Sequence, residues 1–326
     1  MILFDHYPEL HDRLPWERLV AGPTPIERSP SLGAEVWVKR DDLTSAVHGG
    51  NKVRKLEFLL ADAKRRGRRA VLTVGAAGSN HVLATAVFAR ALGFSTTHAV
   101  LFPQAASADV ERKRRAFADA GVGTSRVPGK LLIPLGAAWR AAVALARGEG
   151  RPYLIGPGGS SPLGSLGYVA AALELSAQVR AGACPAPTEI WVPLGSGGTA
   201  AGLLVGLRLA GLGTRLVAVQ VVEPPFVSAR VVARLATRTA ALLVHHGVGL
   251  PPRARRYREG DFDLVADQLG AGYARPTLAA EGACARAADA GLVLETTYSG
   301  KTLAGLLARP AAGPRLFWLT YFRSPT

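Results

Sequence analysis

A lysine at the start of a predicted helix is the residue best placed for covalent chemistry. Apolar alternation over residues 36–40 predicts a strand, two glycines follow, and an apolar stripe at helical spacing begins after Lys52. Asn51 occupies the predicted N-cap. The positive end of the helix dipole opposes an ammonium there and favours a neutral amine, as in lysines that form Schiff bases. The alternative is an exposed lysine in a basic region with Lys39, Arg40, Arg54 and Lys55.

A glycine-rich loop between a predicted strand at residues 189–194 and a predicted helix has the features of a phosphate site. The loop consists of Gly195, Ser196, Gly197, Gly198 and Thr199. Its glycines expose backbone N–H groups, the helix N-terminus adds positive potential, and the threonine offers a hydroxyl. It lacks the ending of a Walker loop, and Glu223 comes too late to be the ribose-reading acid of a dinucleotide site. An ordinary tight turn is the alternative.

Four further side chains stand beside predicted helix starts or in loops. Ser79 and Asn80 follow a predicted strand and can hold a carboxylate or a phenolic oxygen, although plain N-capping by Ser79 is the alternative. Tyr298 follows a late predicted strand at 292–297, and Tyr273 lies in a loop. Either tyrosine can instead be a packing residue. The histidines have no metal-ligand spacing, so no metal site is predicted.

Strands and helices are predicted to alternate along the chain, which indicates an α/β fold with parallel or mixed sheets flanked by helices. In such sheets, sites form at the carboxyl ends of the strands. Lys52 and the Gly195 loop are about 140 residues apart in sequence and must meet if both serve one site. We therefore expect two domains: residues 1–54 with 163–326 form the larger, and residues 55–162 form a smaller inserted one.

Composition excludes several functional classes. The 326 residues are 48% hydrophobic, yet no uninterrupted apolar run approaches the roughly 18 residues of a membrane span. The net charge of +15 is concentrated in arginine-rich runs that lack any zinc-finger or aromatic RNA-binding motif, so nucleic-acid binding is not predicted. The two cysteines form no CxxC, and no signal peptide is evident. A reduced, cytoplasmic protein is expected.

Several motifs together suit pyridoxal phosphate, which needs an amine, an anion site and a partner for its ring nitrogen. The sequence resembles the pyridoxal-phosphate fold-type II enzymes, the tryptophan synthase β-like group. Within that group it resembles the family that joins D-cysteine desulfhydrases with 1-aminocyclopropane-1-carboxylate (ACC) deaminases. The matching stretches, in the order of the family, are residues 38–43, 49–57, 79–81, 158–160, 164–168, 195–202, Tyr298 and 300–301.

The resemblance implies a role for each candidate residue. Lys52 would form the Schiff base with the cofactor, Asn80 would contact its phenolic oxygen, and Ser79 would lie beside the carboxylate of a small amino-acid substrate. Ser299 would be the partner of the ring nitrogen. The remaining implied cofactor-binding residues are Asn51, Gly195, Ser196, Gly197, Gly198 and Thr199, and the implied active-site tyrosines are Tyr273 and Tyr298. The resemblance also implies a homodimer.

Departures from the family pattern affect the expected reaction. The deaminases have glutamate at the position of Ser299 and glutamine at that of His81, so this sequence argues against opening of the ACC ring. Glutamine is common at the position of Gly78, and the desulfhydrases usually have Asn-Ala at 161–162, where this chain has Ser-Pro. A hydroxyl beside the ring nitrogen leaves the ring neutral and the electron sink shallow, which suffices when a good leaving group departs from Cβ.

The expected function is therefore α,β-elimination from a small amino acid such as D-cysteine, to give a 2-oxo acid and ammonia. ACC deamination is the alternative within the family. From other classes, a nucleotide-binding oxidoreductase would need the missing ribose-reading acid. A non-catalytic ligand-binding protein on the same fold would be expected to lose Lys52, which this chain keeps.

Overall fold

The computed structural model describes residues 1–323, which form two sheets flanked by helices. The strands are β1 Ile26–Arg28, β2 Val36–Arg40, β3 Ala70–Ala76, β4 Thr96–Phe102, β5 Gly123–Arg126, β6 Tyr153–Ile155, β7 Glu189–Leu194, β8 Arg215–Gln220, β9 Asp263–Val265 and β10 Arg315–Leu319. The helices are α1 Ile2–His6, α2 Lys52–Arg65, α3 Asn80–Ala91, α4 Ala108–Asp119, α5 Ile133–Ala146, α6 Pro162–Arg180, α7 Gly198–Leu209, α8 Ala229–His245, α9 Leu278–Asp289 and α10 Ser299–Leu307.

The two sheets differ in size and in how the chain builds them. The larger has the order β1-β2-β10-β7-β8-β9, and only the β1–β2 pair is antiparallel. The smaller has the order β5-β4-β3-β6 with every pair parallel, and it comes from the continuous stretch 70–155. The predicted α/β architecture is thus confirmed. The domain bounds, 1–54 with 163–326 and 55–162, stay a prediction.

Burial explains why apolar runs became central strands. All seven residues of β3 and all five of β10 are buried, as expected for parallel strands covered by helices on both faces.

Helices α2, α6 and α7 pack closely because glycines lie at their contacts. A Cβ at Gly202 of α7 would stand 2.5 Å from the Cβ of Tyr168 in α6. Among residues 1–323, no helix is both long and apolar enough to cross a membrane.

One predicted strand does not form. Residues 292–297 were expected to be extended, but the described chain turns there around the side chain of Glu295. Its carboxylate accepts hydrogen bonds from the backbone N–H groups of Thr297 (2.7 Å), Tyr298 (2.9 Å) and Ser299 (2.8 Å). These N–H groups lie at the start of α10 and have no partner within the helix, so a carboxylate is favourable there.

The basic region around Lys52 is not the exposed surface that the alternative interpretation requires. Arg54 is buried and bonds both oxygens of Asp41 (2.7 and 3.0 Å) and both oxygens of Glu174 (2.9 and 3.0 Å). The fully buried Lys39 donates to the same Glu174 at 2.6 Å, and the Tyr168 hydroxyl donates to Asp41 at 2.7 Å. Burial alone would raise the pKa of both carboxyl groups, but Arg54 brings each below its ordinary value.

Candidate active site

A cavity of about 450 Å³ lies where the carboxyl ends of strands from both sheets meet. Its wall includes residues at the carboxyl ends of β3 and β4 and residues that directly follow β7 and β10, as expected for open α/β sheets. Ten of the predicted site residues line it: Asn51, Lys52, Ser79, Asn80, Gly195, Ser196, Gly197, Thr199, Tyr273 and Tyr298. The structure therefore brings together stretches that are separated by more than two hundred residues in sequence.

Lys52 is the first residue of α2 and lines the cavity. Its Nζ donates to Asn51 Oδ1 at 2.7 Å, and Asn51 Nδ2 donates to Thr199 Oγ1 at 3.1 Å, which connects the lysine to the glycine-rich loop. Asn51 precedes the helix as predicted but does not cap it with its side chain. Burial lowers the pKa of Lys52 to about 8, against an opposing contribution from the negative charge of Glu295. A neutral amine is therefore accessible near physiological pH.

The glycine-rich loop forms a concave site at the start of α7. Gly197 has φ +88°, a conformation that favours glycine, and α7 begins at Gly198. A Cβ at Gly198 would lie 2.5 Å from Ser160 Oγ and 3.0 Å from Lys55 Nζ. The backbone N–H of Gly198 is bonded to Ser160 Oγ at 2.9 Å, and Gly198 itself is not among the residues that line the cavity. Backbone N–H groups, hydroxyls and an amine thus converge as in anion sites.

Lys55 is a cavity residue that the sequence interpretation missed. It lies one helical turn after Lys52, and its Nζ donates to the carbonyl oxygen of Gly158 at 3.1 Å. Burial lowers the pKa of Lys55, and the neighbouring Lys52 lowers it further. Two amines of lowered pKa that line one cavity favour an anion in the space that they face. Its spacing of three residues from Lys52 was the available signal, because such residues share a helix face.

Ser79 and Asn80 begin α3, and both interpretations of Ser79 fit the structure. Ser79 Oγ accepts a bond from the N–H of Val82 at 3.4 Å, so it caps the helix, and it also lines the cavity. The adjacent His81 is buried, and its Nε2 lies 3.0 Å from Thr73 Oγ1. Burial lowers the pKa of His81, and the two nearby lysines lower it further, so the imidazole is neutral.

The two tyrosines form a hydrogen-bonded pair in the cavity wall, with 2.8 Å between the hydroxyl oxygens of Tyr273 and Tyr298. Burial raises the pKa of Tyr273 to about 12 and raises that of Tyr298 above its ordinary value. Both phenols are therefore protonated at neutral pH. As a pair they can donate a proton, and they are poor proton acceptors.

The role of Ser299 as the partner of the ring nitrogen stays a prediction. It is fully buried and is not among the residues that line the cavity. Its Oγ donates to Glu295, with Oε1 at 3.0 Å and the backbone oxygen at 3.2 Å, and accepts from the Glu295 N–H at 3.0 Å. Glu295 itself lines the cavity. Sequence patterns did not indicate this carboxylate, because they predicted a strand at 292–297 and not the turn that places Glu295 at the cavity.

The match to a family model decides the class of protein. Residues 18–315 match the model of the family described as "Pyridoxal-phosphate dependent enzyme". The chain belongs to this family. The predicted cofactor class and the tryptophan synthase β-like fold are therefore confirmed.

Relatives of this pyridoxal-phosphate enzyme fall in the predicted group. The chain is 35% identical over 305 residues to a D-cysteine desulfhydrase of Klebsiella pneumoniae (strain 342), covering 90% of this chain and 88% of that protein. It is 38% identical over 316 residues to a nocardicin C-9' epimerase of Nocardia uniformis subsp. tsuyamanensis, covering 94% and 92%. A crystal structure of an ACC deaminase homologue superposes with a TM-score of 0.81 at 30% identity, covering 96% and 93%. The resemblance to the desulfhydrase and deaminase enzymes is confirmed, which places this enzyme among the lyases and deaminases of the family.

The residues of the cavity fit pyridoxal phosphate. Gly195, Ser196, Gly197 and Thr199 line the cavity beside the N-terminus of α7, and the buried Lys55 lines it too, which is a set of donors that suits a phosphate group. Lys52 supplies an amine of lowered pKa for Schiff-base formation. Asn80 lines the same cavity and carries an amide of the kind that bonds a phenolic oxygen. In the part of the chain that the structure describes, no group of three or more His, Cys, Asp or Glu side chains is arranged to hold a metal ion.

Proposed function

We propose that this enzyme catalyses α,β-elimination from a small amino acid with a good leaving group on Cβ, in the manner of a D-cysteine desulfhydrase. The Cα–H and Cβ–X bonds break, and addition of water gives a 2-oxo acid, ammonia and HX. The observation that carries the proposal is the pairing, in one cavity, of an amine of lowered pKa on Lys52 with two phenols that stay protonated. Elimination needs both a base and an acid.

Pyridoxal phosphate, when bound, supplies the electron sink that allows a proton to leave the α-carbon of an amino acid. We infer that Lys52 Nζ accepts this proton and that the hydroxyl of Tyr273 or Tyr298 donates a proton to the departing group. Ser79 Oγ and the N–H groups at the start of α3 would bind the substrate carboxylate. Lys55 and the Gly195–Thr199 loop would hold the phosphate, and Asn80 the phenolic oxygen.

Epimerisation at Cα is the second candidate, and the contact between Ser299 and Glu295 favours it. A lone hydroxyl beside the ring nitrogen would leave the ring neutral. Here the hydroxyl lies 3.0 Å from Oε1 of the Glu295 carboxylate, and Glu295 lines the cavity. A negative charge near the ring nitrogen of the cofactor favours a protonated ring and a stronger electron sink. Reactions without a leaving group require such a sink. The 38% identity to an epimerase agrees with this candidate.

A panel of amino acids separates the candidates. We expect release of pyruvate and ammonia from D-cysteine or β-chloro-D-alanine, with little 2-oxobutyrate from ACC. Epimerisation would instead appear as exchange of the Cα hydrogen with deuterated solvent and loss of optical activity, without 2-oxo acid. Efficient 2-oxobutyrate release would identify a deaminase and contradict the elimination proposal. Failure on every amino acid with the cofactor bound would refute the proposed substrate class.

We further propose that the enzyme is a homodimer that associates through the outer face of α5 and of the 3-10 turn Lys130–Leu132 that precedes it. Leu131, Leu135 and Trp139 follow one another at four-residue spacing and are 84%, 69% and 67% exposed. Exposed apolar clusters of this kind mark interaction sites. Two copies of a chain with net charge +15 repel each other, and residues 131–139 carry no charged side chain. A second copy can therefore contact residues 131–139 without placing a charged side chain of this stretch against another.

Charge placed on this face should prevent dimer formation. We expect light scattering to show a dimer for the unaltered protein and a monomer for Trp139→Glu, because the glutamate would be buried against an apolar surface. Leu278→Glu is the matched control, since Leu278 is 88% exposed at the start of α9 and lies outside this face. A monomeric unaltered protein, or a Trp139→Glu dimer, would contradict the proposal.

The two cysteines support the proposed cytoplasmic location. Cys184 and Cys284 are both free thiols, and burial raises the pKa of each above its ordinary value. Such thiols are weakly nucleophilic and carry no structural disulfide, which suits a reducing compartment.

A further inference from the structure

The loop that carries Tyr273 is held in a strained conformation. Ala274 has φ +56°, and it is the one residue other than glycine with a positive φ among residues 1–323. Such a conformation costs free energy for a residue with a Cβ and persists where the surrounding contacts fix it. The strain lies next to a candidate catalytic hydroxyl, so the contacts that impose it bear on the position of Tyr273.

Two side chains fix this loop from different directions. The fully buried Lys301 donates through Nζ to the backbone oxygens of Leu269 (2.7 Å) and Gly272 (3.1 Å). Glu223 Oε1 accepts the backbone N–H of Tyr273 at 2.6 Å, and it lies so close to Gly272 that no Cβ would fit there. The loop is therefore anchored directly at Tyr273 by the carboxylate of Glu223.

The same carboxylate reaches across the cavity wall to the smaller sheet. Lys130, in the segment between β5 and α5, donates to Glu223 Oε2 at 3.0 Å and lines the cavity. Its Nζ lies over three aromatic rings, with centroid distances of 4.7 Å to Phe226, 5.1 Å to Tyr273 and 5.7 Å to Phe102. Cation–π contacts of this kind add to the ion pair. Lys130 thus holds Glu223 and the ring of Tyr273 at once.

We propose that Glu223 and Lys130 are positioning residues for Tyr273, and that together they hold its hydroxyl against Tyr298 in the cavity. Neither acts on the substrate. When either is lost, the loop relaxes its strained backbone and the phenol moves away from the reacting atoms, so proton transfer slows while binding of the amino acid changes little. This inference rests on the proposed function, because it assigns the tyrosine pair to the acid step.

The charges around Tyr273 predict changes in its pKa that a purely structural role of Glu223 and Lys130 would not produce. The groups that face its side chain are Tyr298, Glu295, Glu223 and Lys130. Glu223 contributes to the raised pKa of Tyr273, so removal of its charge should lower this pKa. Removal of the ammonium of Lys130 should raise it, because a nearby cation favours the phenolate. Removal of Glu223 and removal of Lys130 should therefore shift the pKa of Tyr273 in opposite directions.

The test compares Glu223→Gln and Lys130→Met in the holoenzyme with Asp263→Asn, which breaks the exposed ion pair with Arg215 away from the cavity. We expect kcat to fall about tenfold for the first two variants, with KM nearly unchanged, because part of a general-acid contribution is lost. Lys130→Arg should recover kcat, since it keeps the charge and the aromatic contacts. Asp263→Asn should behave like the unaltered protein.

The pKa is read independently of turnover. A fluorotyrosine placed at position 273 has a more acidic phenol, and fluorine NMR follows its ionisation at pH values where the fold is intact. We expect a lower pKa in Glu223→Gln and a higher one in Lys130→Met. Shifts in the same direction, or an unchanged kcat in both variants, would overturn the inference. If the unaltered protein catalyses no elimination, the proposed function is wrong. Opposite shifts of the Tyr273 pKa would still support the positioning role of Glu223 and Lys130.

Discussion

Replacement of Lys52 by alanine should abolish turnover, lowering kcat by at least about a thousandfold, because one amine serves as both Schiff-base partner and proton acceptor. Borohydride treatment of the unaltered protein should fix the cofactor onto Lys52, and mass spectrometry of the digested protein would locate the adduct. The lowered pKa of Lys52, to about 8, makes its amine reactive near neutral pH. The protein as purified should be yellow.

Two other lysines make this test discriminating. Lys55 also lines the cavity with a lowered pKa, so an adduct on Lys55 would show that the roles of the two amines are exchanged. Lys64 lies at the exposed end of the same helix, where it pairs with Glu17. Lys64→Ala should leave kcat, colour and adduct unchanged. Full activity of Lys52→Ala would refute the assignment.

Replacement of Arg54 by methionine should give the largest loss of stability. Arg54 bonds two buried carboxylates, Asp41 and Glu174, and the variant would leave them with Lys39 as the remaining buried cation. Removal of one partner from a buried ion pair costs about 3–5 kcal/mol of unfolding free energy. Urea unfolding of the apoprotein measures this loss without the contribution of a bound cofactor.

An exposed arginine of similar geometry provides the control for Arg54→Met. Arg215 makes a bidentate contact with Asp263, but both side chains are about half exposed. Because solvent screens such pairs, Arg215→Met should cost less than about 1 kcal/mol. Equal losses in the two variants would show that burial does not govern the stability of the Arg54 cluster.

Local sequence patterns predicted the regular elements well. The strand at 36–40 and the strand at 189–194 have the predicted bounds, and α2 begins at Lys52 as expected. These elements follow from apolar periodicity, which depends on neighbours within a few residues. The failure at 292–297 has a local cause too, but a different one. The carboxylate of Glu295 binds the backbone that a strand would have used, and apolar periodicity does not register such a contact.

The candidate site was predictable only where its residues belong to recognisable loops. An exposed basic region that includes Lys39 and Arg54 is an open alternative in the sequence, because the sequence does not show that Asp41 and Glu174 contact these side chains. Lys130 and Glu223 are 93 residues apart and join only through the meeting of the two sheets. Contacts of this kind depend on tertiary structure, which overrides what local composition suggests.

The order of strands in the larger sheet has a consequence for synthesis on the ribosome. β10 lies between β2 and β7, so the last described strand separates two strands that are translated long before it. The smaller sheet is continuous in sequence and can form while translation proceeds. The larger sheet cannot be completed until residue 319 has left the exit tunnel. Until then, the edges of β2 and β7 that pair with β10 stay unpaired. Thr320–Phe322 line the cavity, so its wall is complete only after β10 has been translated.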